Sequence, residues 1–269
     1  MPEPAATDHW IATPAGRLFA RAWTPAQGEG AAPVLLFHDS LGCVALWRDF
    51  PARLAQRLGR RVVAYDRLGF GRSDAHPGRL GADFIDHEAA TAVPALRAAL
   101  GLERFVALGH SVGGAMAVTA GAASGTTGCE AVVTVAAQAF VEDRTRDGIL
   151  AAAQAFADPE PFARLGRHHG GQARWVLEAW TQTWLSPAFA GWTLEPALRR
   201  LRSPLLALHG DRDEYGSAAH PQRLAALAGG PARAVLLEDC GHIPHRERPQ
   251  ALLDAVAGFL AKPRDGSSG

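Results

Sequence analysis

A tight turn between a strand and a helix is the feature that most constrains the fold of this chain. Residues 109–113 read GHSVG and lie between an apolar run at 105–108 and a run of small residues at 115–120. A strand, a G-x-S-x-G turn and a helix in this order are typical of a nucleophile elbow. The two glycines allow a turn so sharp that Ser111 takes strained backbone angles. The pattern therefore predicts a serine hydroxyl held clear of the sheet at the end of a strand.

Apolar and helical patterns alternate along most of the chain. An alternating pattern typical of a hairpin occupies residues 10–23, and helical patterns occur at 47–58 and 82–100, among others. Short continuous apolar runs, typical of strands buried on both faces, lie at residues 34–37, 61–65, 105–108, 131–136, 205–208 and 234–237. Strands that alternate with helices predict an α/β fold with a mostly parallel, doubly wound sheet.

One segment interrupts this alternation. Residues 138–202 contain no convincing strand pattern, and they carry four of the seven tryptophans. We interpret this segment as a helical lid, with residues 1–137 and 203–269 forming the core domain. Trp180 and Trp184 are four residues apart and therefore share a helical face. This face either packs the lid on the core or roofs a pocket, and large aromatic side chains can do both.

Five motifs make the chain resemble a known superfamily. They are HDSLG at 38–42, YDRLGFGRSD at 65–74, the elbow at 109–113, HGDRD at 209–213 and the Gly-His pair at 241–242. In this order, and over most of the chain, they resemble the α/β-hydrolase superfamily, in the branch with a helical lid between strands six and seven. The resemblance implies an enzyme whose nucleophile, acid and histidine follow one another in that order.

The resemblance implies a catalytic triad of Ser111, Asp213 and His242. Ser111 needs a general base within hydrogen-bond reach, and the base needs an orienting acid. His242 follows the last apolar run in a loop where Gly241 permits a turn back over the strand ends. His245, which lies closer to the last helical pattern, is the alternative base.

The loop after residues 205–208 offers three acids for the triad. The family spacing places the acid three residues after the glycine that ends the strand, which selects Asp213. Asp211 is the main alternative, and we interpret its side chain as a cap of the turn. Glu214 is longer and more easily solvated.

Two backbone N–H groups are expected to bind the oxyanion. Val112 begins the helix after the elbow and supplies the first. The family pattern after the strand at 34–37 is His-Gly followed by a variable residue whose N–H donates, so Ser40 is the second candidate. Asp39 replaces the usual glycine, and its carboxylate would oppose an oxyanion unless it is paired or turned away. We interpret His38 as a structural residue of this loop.

Aromatic and apolar residues are expected to contact the substrate. We expect Trp180 and Trp184 to roof a pocket above Ser111, with Phe140 and Leu41 among its walls. A pocket of this composition is mostly apolar and has few polar groups to orient a ligand. We therefore expect uncharged esters to be preferred over charged ones.

Composition excludes several other classes of protein. The 27 basic residues balance the 27 acidic ones, which does not favour nucleic acid or an anionic membrane as a partner. No apolar run reaches the length of a membrane span, residues 1–8 lack a secretory pattern, and the three cysteines lack metal or redox spacing. We expect a cytoplasmic protein with a small-molecule substrate, no metal and no cofactor, and we leave open a homodimer. Residues 262–269 are expected to be disordered.

The predicted activity is hydrolysis of a small or medium carboxylic ester through an acyl-enzyme. The same triad would also serve three alternatives: cleavage of a carbon–carbon bond in a ring-opened aromatic catabolite, hydrolysis of an amide or lactone, and acyl transfer to an alcohol or thiol. A binding module without catalysis is disfavoured because serine, acid and histidine are all present at matching positions.

Overall fold

The strands of this protein form one continuous sheet. A computed structural model describes residues 2–27 and 30–261, so the disorder expected for residues 262–269 concerns a segment outside the described residues. The strands within the described ranges are β1 (Ala5–Thr13), β2 (Gly16–Thr24), β3 (Val34–Phe37), β4 (Val62–Tyr65), β5 (Phe105–His110), β6 (Cys129–Val135), β7 (Leu205–Gly210) and β8 (Ala232–Leu237). Their spatial order is β1-β2-β4-β3-β5-β6-β7-β8.

The sheet is mixed at one edge and parallel elsewhere. β1 pairs with β2, and β2 with β4, in antiparallel fashion. The other neighbouring strands pair in parallel. All residues of β3, β4 and β5 are buried, as expected for central strands covered on both faces. The predicted opening hairpin and the mostly parallel sheet of an α/β fold are confirmed.

Helices cover both faces of this sheet. The α-helices of the described residues are α1 (Phe50–Leu58), α2 (Phe84–Leu100), α3 (Val112–Gly128), α4 (Asp143–Ala155), α5 (Pro159–His169), α6 (Ala173–Trp184), α7 (Glu195–Arg200), α8 (Ala219–Leu227), α9 (Pro244–Glu247) and α10 (Pro249–Leu260). Buried side chains of α2 and α3 form one apolar cluster with the sheet, and those of α1 and α10 form another. The two clusters are the two halves of a doubly wound core.

The helix predicted at residues 47–58 is broken in the structure. The chain forms a short 3₁₀ helix, Val44–Trp47, and only then α1. Arg48 separates the two because its φ of 54° lies in the left-handed region, where a right-handed helix cannot continue. Pro51 lies in the first turn of α1, where its fixed φ suits a helix start.

Helices α4 to α7 lie between β6 and β7, within the segment 138–202. The side chain of His169 connects this segment to two core loops through hydrogen bonds. Its Nδ1 accepts the N–H of Gly71 and its Nε2 donates to the carbonyl oxygen of Leu41, each at 2.9 Å. Because one ring nitrogen accepts and the other donates, the two bonds select one neutral tautomer of His169. The division of the chain into a core and a lid domain remains a prediction.

Three further features of the described residues bear on function. None of the helices named above is both long and apolar enough to cross a membrane. Across residues 2–27 and 30–261, no three side chains of His, Cys, Asp or Glu are grouped as metal ligands would be. The thiols of Cys43, Cys129 and Cys240 are buried and unbridged.

The close contact between the start of α3 and the end of β3 can be tested at Gly113. A Cβ on Gly113 would overlap the carbonyl group of Phe37 and lie 2.6 Å from the carbonyl oxygen of His38. Because backbone atoms cannot move aside as a flexible side chain does, we expect Gly113→Ala to lower the free energy of unfolding by about 1–3 kcal/mol or more. Urea denaturation measures the change.

Gly258→Ala is the matched control for this variant. Gly258 lies inside α10 with open space around its Cα, so alanine there should raise the free energy of unfolding by about 0.5–1 kcal/mol. A Gly113→Ala protein as stable as the wild type would contradict the close contact.

Candidate active site

The elbow has the strained backbone that its sequence predicts. Ser111 joins β5 to α3 with φ 54° and ψ −126°, a region that residues other than glycine rarely occupy. A Cβ on Gly109 would overlap the carbonyl group of Gly113, so the turn closes only with glycine there. The predicted strain of the Ser111 backbone is confirmed. Ser111 is followed directly by Val112, the first residue of α3.

Asp213 and His242 form a hydrogen-bonded pair. The Nδ1 of His242 donates to Asp213, whose Oδ2 lies 2.8 Å away and whose Oδ1 lies 2.9 Å away. The Oδ1 of this buried carboxylate also accepts the N–H groups of Tyr215 at 2.7 Å and Gly216 at 3.1 Å. With the proton on Nδ1, the Nε2 of neutral His242 can accept another. The predicted contact between Asp213 and His242 is confirmed.

The charges of this pair shift both pKa values. Burial alone would lower the pKa of His242, but the hydrogen bond and negative charge of Asp213 raise it above its ordinary value. Burial alone would raise the pKa of the Asp213 carboxyl, but the hydrogen bond and charge of His242 lower it. The Nε2 of buried His209 donates to the carbonyl oxygen of Gly216 at 3.1 Å and lies 3.2 Å from Asp213 Oδ2. These interactions favour an ionised Asp213 beside a more basic His242.

The alternative acid and base have other partners. Asp211 Oδ1 accepts the N–H of Cys240 at 3.0 Å, so its side chain links the loop after β7 to the loop that carries His242. His245 is buried against the rings of Trp47 at 4.8 Å and Phe50 at 5.9 Å. Burial lowers the pKa of His245 to about 2, which disfavours it as a base.

The loop after β3 is ordered by its own polar side chains. His38 donates from Nδ1 to the carbonyl oxygen of Asp39 at 2.7 Å and accepts the N–H of Arg67 at Nε2, 3.1 Å away. Asp39 Oδ1 accepts the N–H of Leu41 at 2.9 Å. These bonds confirm the structural interpretation of His38. The role of the Ser40 N–H as an oxyanion donor remains a prediction.

The carboxylate of Asp39, which stands where the superfamily usually has glycine, is paired with His110. Its Oδ2 lies 3.2 Å from His110 Nδ1, while His110 Nε2 lies 2.7 Å from the carbonyl oxygen of His242. Both partners are hydrogen-bond acceptors, and a doubly protonated His110 ring can donate to both. Burial alone would raise the pKa of Asp39, but the hydrogen bond and charge of His110 hold that pKa well below its usual range. The Asp39 carboxylate is therefore paired rather than free to oppose an oxyanion.

A cavity of about 210 Å³ brings the predicted site residues together. Ser111 and His242 both line it. Of the four predicted substrate contacts, Leu41, Trp180 and Trp184 line it as well. The segment 138–202 contributes Gln138, Thr145, Ile149, Trp180 and Trp184 to the lining, as expected for a segment that borders the site.

The aromatic side chains of this segment divide between packing and lining. Trp184 lines the cavity and also packs against the ring of Phe189, with ring centres 5.0 Å apart. Both residues belong to the apolar cluster that α2 and α3 form with the sheet, so Trp184 both packs on the core and lines the cavity. Phe140 is not among the residues that line the cavity. Its ring lies 4.6 Å from that of His220, and its backbone forms a β-bridge with Thr193. These contacts account for the absence of Phe140 from the cavity lining, so the prediction that Phe140 forms a wall of the pocket is wrong.

Several residues that line the cavity were not predicted from the sequence, among them Tyr215, His110 and Arg246. The ring of Tyr215 lies 4.7 Å from that of His242. Its position two residues after Asp213 could have indicated that Tyr215 lies near the site, because the loop turns around the buried carboxylate of Asp213 there. His110 could have been paired with Asp39 on charge alone. Nothing in the sequence around Arg246 indicates that its side chain lines the cavity.

The sequence and the geometry can now be compared with known proteins. A model of the α/β-hydrolase fold family matches residues 32–173. This chain belongs to that family. The matched range includes the elbow and the loop after β3, both of which line the cavity of this α/β hydrolase.

Individual relatives of this α/β hydrolase are more distant. The human 1-acylglycerol-3-phosphate O-acyltransferase ABHD5 is 34% identical over 85 residues, which are 32% of this chain and only 24% of that protein. A bacterial membrane phospholipase A is similar in structure over 95% of this chain and 86% of its own, with 21% identity and a TM-score of 0.75. The carboxylesterase CesB of Bacillus subtilis is similar over 96% and 92%, with 19% identity and a TM-score of 0.71. At these identities the two structures show the fold.

Replacing Asp39 with asparagine tests its pairing with His110. Asp39 ionises below its ordinary pKa in the folded protein, so the pairing stabilises the fold above the unfolded-state pKa of about 3.9 and loses its effect as the pH falls below that value. We expect Asp39→Asn to lower the free energy of unfolding by about 1–3 kcal/mol at pH 7. The difference from wild type should shrink between roughly pH 4.5 and 2.5.

Denaturation in urea across this pH range checks both statements. Asp49→Asn is the control, because Asp49 is exposed and its ion pair with Arg53 is long, at 3.6 Å. Such a pair should contribute on the order of 0–1 kcal/mol. A destabilisation by Asp39→Asn that is equal at pH 7 and at the acid end would contradict the pairing.

Proposed function

We propose that this α/β hydrolase cleaves small or medium carboxylic esters through an acyl-enzyme formed on Ser111. The observation that supports the proposal most is the hydrogen bond of 2.8 Å between Asp213 and His242, at a cavity that Ser111 and His242 both line. An acid, a base and a hydroxyl at the end of a strained turn are the parts that acyl transfer to serine requires.

In the first half of the reaction, His242 Nε2 takes the proton of the Ser111 hydroxyl. The Ser111 oxygen attacks the ester carbonyl carbon and forms a tetrahedral intermediate. The N–H groups of Val112 and Ser40 stabilise its negative oxygen. Asp213 stabilises the positive charge that His242 gains, and His242 then gives the proton to the departing alcohol.

The second half repeats these steps with water. His242 takes a proton from a water molecule, which attacks the carbonyl carbon of the acyl-enzyme. The second tetrahedral intermediate collapses, the acid leaves, and Ser111 regains its proton from His242. We propose that residues 138–202 act as a lid in both halves, because they roof the cavity and limit the access of bulk water.

Related reactions could use the same residues. Amide, lactone and carbon–carbon bond hydrolysis require the same acyl-enzyme, and acyl transfer replaces water with an alcohol or thiol. The relative ABHD5 is named as an acyltransferase, but its likeness to this chain is confined to 85 residues. We place ester hydrolysis ahead of amide and carbon–carbon bond hydrolysis because an alcohol leaves more easily than an amine or a carbanion and needs only the proton that His242 holds.

A fluorophosphonate probe and an ester panel test this function. The probe should label the wild-type protein at Ser111 and should not label Ser111→Ala. 4-Nitrophenyl esters of increasing chain length should be hydrolysed, and Ser111→Ala should lower kcat by roughly 10⁴- to 10⁶-fold. Labelling of Ser111→Ala, or a Ser111→Ala protein that keeps most of the activity, would contradict the assignment of the nucleophile.

The acid is tested by two neighbouring asparagine variants. Asp213→Asn keeps the shape of the side chain but favours the wrong tautomer of His242, and we expect kcat to fall by about 10⁴-fold. Asp211→Asn is the matched control, because Asp211 bonds a backbone N–H rather than the histidine, and its effect on kcat should be far smaller. Steady-state kinetics on one ester gives both values. A larger loss in Asp211→Asn than in Asp213→Asn would reverse the assignment.

A further inference from the structure

Arg246 brings a positive charge to the wall of the cavity. It lies on the short helix α9, in the loop region that carries His242, and is half-buried. Its Nη2 donates to the carbonyl oxygen of Leu46 at 2.8 Å. Its Nε is buried without an acceptor. Among the residues that the structure describes, no carboxylate forms an ion pair with this guanidinium.

Two acidic residues with which Arg246 could pair are already engaged. Asp39 is the carboxylate whose charge acts on Arg246, and its Oδ2 is paired with His110 at 3.2 Å. Glu247, the next residue in the chain, accepts the N–H groups of Gly241 at 2.6 Å and Ile243 at 2.9 Å. The positive charge of Arg246 is therefore not balanced from within the cavity wall.

Neighbouring positive groups add to this imbalance. Burial lowers the pKa of Arg246, and the charge of Arg48 lowers it further. Burial, followed by the charge of Arg246, lowers the pKa of His168 on α5. Arginine nevertheless stays charged at neutral pH. A bound anion would relieve this repulsion and accept hydrogen bonds from N–H groups that Leu46 does not use.

We propose that Arg246 binds an anionic group of the substrate, a carboxylate or a phosphate, so that the enzyme selects acidic esters. The inference rests on the proposed esterase function, because the anion is part of the ester that Ser111 attacks. A guanidinium can bind such a group through two parallel N–H···O bonds. This proposal is opposite to the preference for uncharged esters that is expected from the tryptophans alone.

The remainder of the cavity sets the size of this substrate. A volume of about 210 Å³ suits a small ester rather than a nucleotide or a complete lipid. Ile149, Trp180 and Trp184 line the same cavity and provide an apolar surface for the uncharged part. The substrate class is therefore a small ester with one acidic end and one apolar end.

Two matched pairs of esters test the inference. On the acyl side, 4-nitrophenyl butyrate is compared with mono-4-nitrophenyl succinate, in which a carboxylate replaces the terminal methyl group. On the alcohol side, phenyl acetate is compared with 4-carboxyphenyl acetate. We expect the wild-type enzyme to favour the acidic member of at least one pair. Arg246→Gln should lower kcat/KM for that member by roughly 10- to 100-fold more than for its neutral partner.

Two further variants separate charge from structure. Arg246→Lys keeps the positive charge and should retain part of the preference for the acidic ester. Arg248→Gln is the matched control, because Arg248 is exposed, pairs with Asp239 at 3.5 Å and is not part of the cavity lining. Its ratio of acidic to neutral kcat/KM should equal that of the wild type.

Each remaining outcome decides against the inference. A wild-type preference for the neutral member of both pairs would overturn it. If Arg246→Gln lowered kcat/KM by the same factor for both members of both pairs, Arg246 would serve only to hold Leu46, and the inference would fall.

Hydrolysis of none of the four esters would count against the esterase proposal, and binding then tests Arg246 by itself. Succinate and glycerol 3-phosphate are added to Ser111→Ala, and its thermal unfolding is followed. A rise in Tm that is lost in the Ser111→Ala/Arg246→Gln double variant supports the anion site, and the more effective anion distinguishes carboxylate from phosphate. No rise with either anion, or a rise that survives in the double variant, overturns it.

Discussion

The close contact of α3 with β3 and β5 is the constraint on which the site depends. Ser111 keeps a φ of 54° because the glycines around it let three backbone segments approach more closely than any side chain would permit. Strain of this kind costs on the order of 1–3 kcal/mol and persists only where the surroundings over-determine it. The fully buried strands β3 and β5 provide those surroundings.

Polar contacts help to position the groups around this serine. In the loops at the carboxyl edge of the sheet, side chains bond backbone groups of neighbouring loops and so fix the loop paths. His110 bonds the carbonyl oxygen of His242, Asp211 bonds the N–H of Cys240, and His38 bonds the N–H of Arg67. Each bond crosses from one loop or strand end to another, so the site behaves as one connected unit.

The sequence predicted what short-range patterns encode. Apolar runs and flanking glycines fixed the strands and the elbow, and the superfamily spacing selected Asp213, because these depend on local periodicity and turn geometry. The positive φ at Arg48 could not be predicted from the sequence, because a positive φ is normally signalled by glycine and Arg48 is not glycine. The sequence did not predict that Arg246 lines the cavity or that Phe140 does not. Both depend on long-range features, namely the paths of the loops and the bridge between Phe140 and Thr193.

The pairing of Asp39 with His110 also limits how this enzyme can diverge. Asp39 bonds the His110 ring, which in turn bonds the carbonyl oxygen of His242. Exchanging Asp39 alone for the glycine usual in the superfamily would leave a buried histidine nitrogen without its partner, while exchanging His110 alone would leave an unpaired carboxylate beside the proposed site of the oxyanion. Each single exchange is harmful although the double exchange removes both partners, so the two positions should show strong sign epistasis and change together along an evolutionary or engineered path.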